Sequence, residues 1–228
     1  MSLSVYHQID LPLVELGFDL RSSGRSRLEI RDAVLLEYKR LGVGDSTAEK
    51  RWYLVASPVF STNSITDHVV RYWNSTAEHD RKELCICACL GAFPVLNEVL
   101  DAVMHISAIR GTAAQMEVRM RLSKRYGARP SLKQAVQKCL QSLRSWEIIT
   151  SPKPGVDVPR IPVICSSVVG SAAIASQMVH RFEDGLRIEN VASRSPLSLW
   201  DFSTYAPNDG HCIDVRVGAR GREYVVVE

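Results

Sequence analysis

Cys85, Cys87 and Cys89 fall within five residues of an apolar stretch, and three thiols so close together could serve as zinc ligands. Helical spacing argues against that use. Cys85 and Cys89 share a face, Cys87 points away, and no Cys or His pair stands at zinc-finger spacing. They read instead as buried small hydrophobes. His7, His68, His79, His105, His180 and His211 form no ligand motif. A serine nucleophile elbow, a phosphate-binding glycine loop and a dinucleotide fingerprint are absent as contiguous patterns, and Gly218-Ala-Arg-Gly221 is too short to be one. The expectation is a chain with no catalytic residue, metal or cofactor: a binding protein, not an enzyme.

Cationic charge is what the sequence concentrates. Between Arg110 and Lys153 stand ten basic residues against two acidic ones, Glu117 and Glu147, a local charge of +8. The whole chain carries only +3, so the remainder is acidic by about 5 charges. A basic patch on an otherwise acidic molecule is the footprint expected for phosphate contact. Lys133, Gln137, Gln141 and Arg144 share one side of a predicted helix. These side chains suit a duplex groove, because Lys and Arg reach phosphate oxygens while Gln and Arg hydrogen-bond purine edges. Arg125, Arg129 and Lys153 suit backbone contacts, and Arg119 and Lys138 complete the candidate set. A groove-reading helix favours double-stranded DNA over RNA. The same face could be an ordinary solvated surface, or could dock an acidic protein partner, which makes a protein-docking adaptor the alternative reading. The expectation rests on the cations converging into one exposed ledge.

The elements around these residues read as helix, short turn, helix and β-hairpin. Thr112-Ala-Ala-Gln115 has the form of a capping box, with a helix to Tyr126 closed by Gly127. Pro130-Ser131-Leu-Lys-Gln134 has the same form, with Ser131 as N-cap and a helix to Trp146. Leu132, Ala135, Val136, Cys139, Leu140, Leu143 and Trp146 form its inner face. Glu147 to Ser151 is strand-like, Pro152-Lys-Pro-Gly155 is a turn, and Val156 to Ile164 is extended, confined by Pro159 and Pro162 to an edge or an irregular arm. This order matches a winged helix-turn-helix. Upstream, Leu13 to Leu41 is helical with a break at Ser22-Ser23-Gly24, and Asp45-Ser46-Thr47 opens another helix. Asn63 to Trp73, Arg81 to Leu90 and Val95 to Ile109 complete a helical unit. Downstream, Ser171 to Phe182 reads as a helix, Pro196 to Tyr205 as a loop or short extended piece, and Cys212 to Val217 with Arg222 to Val227 as a hairpin.

The predicted fold class is mainly α. A helical domain spans 1–110, a winged-helix-like domain 111–165, and a small C-terminal α/β segment with a β-hairpin 166–228. With 228 residues, 46% hydrophobic and 23% charged, the chain can bury a core and need not be disordered. Six cysteines, three of them within five residues, are too few and too clustered for a secreted disulfide scaffold, and Met1 to Asp10 lacks the features of a signal peptide, so a cytoplasmic location is expected. Ile161 to Val179 is uncharged and nearly long enough to span a bilayer. Its Pro162, Gly170, Ser166, Ser167, Ser171, Ser176 and Gln177 argue for a buried strand or loop leading into a core helix, and no membrane span is expected.

Three stretches, Thr47-Ala-Glu-Lys-Arg51, Arg81 to Leu96 and Ser131 to Ile149, resemble the BrxA-like family of small accessory proteins in BREX phage-defence systems. The resemblance covers residues 45 to 150. It implies an all-helical protein with helix-turn-helix character, DNA association, and a place beside larger methylase, ATPase and phosphatase-like defence proteins. That family is often described as inner membrane proteins, which conflicts with the polarity of residues 161 to 179. The tail from Ser166 departs from the family pattern.

Overall fold

Apolar residues at three- and four-residue steps fold the first half of the chain into six helices. The computed structural model describes residues 5–179, 186–187, 190–191, 195–206, 212–218 and 221–226. The helices are α1 (Leu11–Ser22), α2 (Arg27–Arg40), α3 (Asp45–Phe60), α4 (Ser64–Tyr72), α5 (Glu78–Ala92) and α6 (Pro94–Arg110). The break after α1 falls at the predicted Ser22-Ser23-Gly24. Ser26 caps α2 through a capping box with Glu29, and the Asn63 side chain caps α4 by accepting the Thr66 amide.

Helix α5 is the hub of the core. It packs against α1, α3, α4, α6 and α9 (Ser167–Met178), so both of its faces are covered and Leu84 through Leu90 are buried. That encirclement explains why Cys85, Cys87 and Cys89 are all buried although they point to different sides. Burial pushes all three thiols above their ordinary range. Pro94, which cannot continue α5, starts α6 at 109° to it. Among the described residues no single helix is long and apolar enough to cross a membrane, although the bent α5–α6 pair satisfies length and composition together. The uncharged run of residues 161 to 179 divides into an exposed strand and the buried twelve-residue α9.

Helix α6 turns from this core to the next layer. It contacts α7 (Gln115–Tyr126), α8 (Pro130–Ser145), β1 (Ala113–Ala114) and β3 (Val156–Pro159). With β2 (Ile149–Lys153), the strands form an antiparallel sheet of order β1-β3-β2, in which Ala113 pairs with Asp157 and Ile149 with Pro159. Neither predicted capping box forms. Helix α7 begins at Gln115, whose amide donates to the Gly155 carbonyl in the hairpin turn (2.9 Å), so a distant backbone oxygen replaces the Thr112 cap. Helix α8 begins at Pro130 with Arg129 as N-cap, because proline is already set for the first helical position, and Ser131 lies inside the helix. The extended stretch after the turn is interrupted as its prolines suggest: β3 ends at Pro159 and a second strand resumes at Val163–Ile164.

The remaining elements return to α5 and α9. Strand β4 (Val163–Ile164) pairs in parallel with β6 (Trp200–Asp201), and β7 (Ile213–Gly218) pairs with β8 (Gly221–Val226), which also carries β5 (Leu186–Arg187). The predicted terminal hairpin is present; its residues 219–220 lie outside the described residues. Helix α9 starts at Ser167, capped by Ser166, four residues before the sequence suggests. Residues 180–182 of that predicted helix lie outside the described residues. One buried cluster runs from Val5 to Ile213 through all three predicted segments.

A buried ion pair joins these parts. Glu83 of α5 receives two hydrogen bonds from the Arg160 guanidinium (2.9 and 2.6 Å) and one from the Trp200 indole (2.9 Å). The two charged side chains are only 8% and 14% exposed. Removing one partner strands a charge in the core, so Arg160→Ala or Glu83→Ala should lower unfolding free energy by about 3–5 kcal/mol in urea titration. A loss below about 1 kcal/mol would show that the bridge contributes little net stability.

Candidate nucleic-acid interface

Helix α8 presents Lys133 and Gln137 to solvent, while Leu132, Ala135, Val136, Cys139, Leu140 and Leu143 are buried beneath it. The predicted inner face is the observed one; of the predicted outer face, Lys133 and Gln137 are exposed, whereas Gln141 and Arg144 are half-buried. Helix α7 lies alongside, and its Arg119 closes a groove of about 340 Å³ with Gln115, Met116, Lys133, Val136, Gln137 and Leu140. A neighbouring hollow of about 390 Å³ shares Arg119 and Lys133 and adds Arg129, Met120 and Pro130 at the α7–α8 turn. Four sequence candidates, Arg119, Arg129, Lys133 and Gln137, are thereby brought together. Arg119, Lys133 and Lys153 make no ion pair among the described residues. The Arg129 Nε–H donates to the Tyr126 carbonyl (2.8 Å), which caps α7 and orients the guanidinium at the turn.

The other candidates are differently placed. Arg144 leaves the outer face to form a two-bond fork with fully buried Asp157 of β3 (2.8 and 2.9 Å). Arg125 pairs with Glu98 of α6 (2.7 Å), and the same carboxylate accepts the Tyr126 hydroxyl (3.0 Å). Burial and that carboxylate push the Tyr126 phenol up to about 12. The Lys138 ammonium donates to Gln141 Oε1 (2.9 Å), and both side chains are half-buried. Next to them Ser142 accepts the Ile9 amide (2.8 Å) and the Trp146 indole donates to the Ile9 carbonyl (3.1 Å), so the N-terminal segment clasps this flank of α8. His7 in that segment is held below its ordinary imidazole range, by burial first and then by Arg51, Lys138 and Lys50. Lys153 stands exposed on the β2–β3 hairpin. Of the remaining basic residues in the segment, Arg110 pairs with Glu117, and Arg121 points about 160° around α7 from Arg119.

Sequence reasoning missed Asp157, Glu98, Met116 and Met120. The local pattern pointed the wrong way for Asp157: alternation with Val156 and Val158 would turn the valines inward and the acid to solvent, whereas the structure buries Asp157 and leaves both valines half-buried. Met116 lines the groove and Met120 the neighbouring hollow; four apart on α7 and 60% and 52% exposed, they set apolar surface beside the cations. Among the described residues, no group of three or more His, Cys, Asp or Glu side chains is arranged to hold a metal.

Two positions set how α8 is presented. Gly127 ends α7 at φ 76° and ψ 155°, a region open essentially to glycine, and no atom lies within 4 Å of a Cβ built there. The cost of Gly127→Ala is therefore a backbone cost, expected at about 1–3 kcal/mol in chemical denaturation; an unchanged midpoint would show that the turn relaxes freely. Asp157→Ala releases Arg144 and removes an anchor of the hairpin, with an expected loss of about 1–3 kcal/mol in the same measurement. The chain matches no protein-family model, no curated protein and no solved structure.

Proposed function

We propose that this chain is a non-enzymatic accessory protein that binds duplex DNA through a winged helix-turn-helix built from α6, β1, α7, α8 and the β2–β3 hairpin. The chain order, helix, strand, helix, turn, helix and hairpin, supports reading α8 as the groove-entering helix and the hairpin as the wing. The observation that carries the reading is the open outer side of α8, where Lys133 and Gln137 stand beside Arg119 with no carboxylate against the cations. In this reading Gln137 addresses a base edge, Lys133 a guanine edge or a phosphate, and Arg119, Arg129 and Lys153 the phosphate backbone. Arg144, Arg125, Lys138 and Gln141 support the frame through the bonds they make within the protein. The resemblance of residues 45 to 150 to the BrxA-like family favours a cytoplasmic role in a BREX-like phage-defence system, alongside other proteins of that system.

Neutralising about four phosphates gives a slope of about −3.6 for log affinity against log salt. Replacing Arg119, Lys133, Gln137 and Lys153 together by Ala should weaken binding to a short duplex by at least about tenfold at low salt, with the thermal midpoint unchanged. Fluorescence anisotropy checks both. Unaltered affinity in the quadruple variant, or a flat salt dependence, would overturn the assignment.

The apolar lining of the same groove favours a second reading, an adaptor. Met116, Val136 and Leu140 in the groove, with Met120 in the neighbouring hollow, lie beside Arg119 and Lys133 and suit an acidic amphipathic segment of another protein. Co-purification of a defence-system partner that is lost on Met116→Asp, together with no salt-sensitive duplex binding, would select it.

A further inference from the structure

A larger cavity, of about 620 Å³, opens in the helical unit between the C-terminal ends of α3 and α5 and the first residues of α2 and α4. It shares no residue with the α7–α8 face. Its volume is that of ordinary small-molecule sites. Trp52 and Phe60 line it, their ring centroids 6.2 Å apart and their planes tilted by 58°; because Arg21 and Arg27 already lie over Phe60, Trp52 offers the flat apolar surface for a planar guest and Phe60 flanks it.

Three features narrow the chemistry of that guest. The Arg27 guanidinium lies 5.2 Å from the Phe60 centroid and makes no ion pair among the described residues. Arg21, 5.5 Å from the same ring, is already engaged by the Val59 carbonyl and by Asp67. Arg27 is therefore the cation left for a bound anion. Asn63 supplies directed donors. Its Oδ1 accepts the Thr66 amide, which leaves Nδ2 on the Gly91 side of the cavity, 3.9 Å from the position of a Cβ built on Gly91. Finally, neither Asp nor Glu lines the cavity, so nothing there repels an anion.

A flat ring with acceptor atoms, joined to an anionic group, meets all three conditions. We propose that this cavity binds a nucleotide, with the nucleobase stacked on Trp52 and its edge toward Phe60, base acceptors on the Asn63 amide, and the phosphate on Arg27. The chemistry is the same for a free nucleotide and for the unpaired end of a DNA strand. It does not depend on duplex binding by α8.

Trp52 is partly exposed, whereas Trp73, Trp146 and Trp200 are buried, so quenching of tryptophan fluorescence reports chiefly on this cavity. The full chain is titrated with adenosine and thymidine monophosphates and, separately, with short single-stranded oligothymidylate, and calorimetry checks each affinity. Saturable quenching is expected, weakened by at least about tenfold in Arg27→Ala and in Asn63→Ala, and unchanged in Arg119→Ala/Lys133→Ala. Saturation by the monophosphates identifies a free nucleotide as the guest; saturation by the oligonucleotide alone identifies a strand end. Arg27 is exposed and joins no ion pair among the described residues, so its Ala variant loses only the contact with the Phe60 ring and should stay folded, with a small fall in melting temperature. No saturable quenching by either probe at millimolar concentration, or quenching indifferent to both Arg27→Ala and Asn63→Ala, would overturn the proposal.

Discussion

Glu83 is a carboxylate set among the most buried residues of α5, and the placement of the hairpin depends on how that charge is satisfied. Desolvating a carboxylate is costly unless it is paired and hydrogen-bonded, and here the Arg160 fork and the Trp200 indole do both. Arg160 follows β3 directly, and its own amide donates to the Ile148 carbonyl (2.8 Å). One bridge thus ties the base of the hairpin to the core helix and to β6. The Arg144–Asp157 fork and the Gln115 amide on Gly155 add two further ties. The hairpin is therefore held at its base, its side and its turn, while Lys133 and Lys153 keep their freedom. Rigid presentation with mobile charged tips suits recognition of a regular polyanion.

The same pairs reduce the cationic face to fewer residues than a count along the chain implies. Arg125 meets Glu98 and Arg144 meets Asp157, and both carboxylates lie just outside the window from Arg110 to Lys153 in which the charge is +8. Glu147, inside that window, is drawn to Lys82 of α5, whose hydrogen bond and charge hold its carboxyl below the ordinary range. Opposite charges within hydrogen-bond distance cancel at the range of a Debye length, so a paired arginine adds little to the field felt by an approaching phosphate. The field comes chiefly from cations without such partners.

Helices such as α8 were legible because they pack one stripe against a neighbour, and a stripe leaves a spacing in the sequence; α5 and α9 are covered on both faces and carry no such stripe. The two faces of α8 follow from Leu132, Val136, Cys139 and Leu143 on one side and Lys133 and Gln137 on the other. The two capping boxes failed for different reasons: the Gln115 amide donates to the Gly155 carbonyl, forty residues away, by tertiary contact, and Pro130 starts α8 before Ser131 could cap it. The buried bridge joins residues 77 and 117 positions apart, beyond the reach of any local pattern. Arg144 was misleading for the same reason. Its helical position is outward, but a buried carboxylate across the sheet outcompetes solvent for its guanidinium. The aromatic cavity was also hidden, since Trp52 and Phe60 share α3 with core residues and only the ends of α2, α4 and α5 complete its walls.

Few available cations have a consequence for how such a protein would work. A single winged helix covers only about 600–1,000 Å² of protein surface on DNA, and about four phosphate contacts lose most of their strength at physiological salt. A duplex held by Arg119, Arg129, Lys133 and Lys153 alone would exchange rapidly. Tethering changes that balance, because a module attached to a larger assembly already on DNA meets its site at millimolar effective concentration and needs little affinity of its own. The exposed Met116 and Met120 beside the cations offer an apolar contact for such an assembly without displacing Lys153 at the hairpin. If the proposed duplex contact holds, few unpaired cations beside exposed methionines would suit an accessory component better than a solitary repressor, and the two proposed readings of the groove would be successive contacts of one surface.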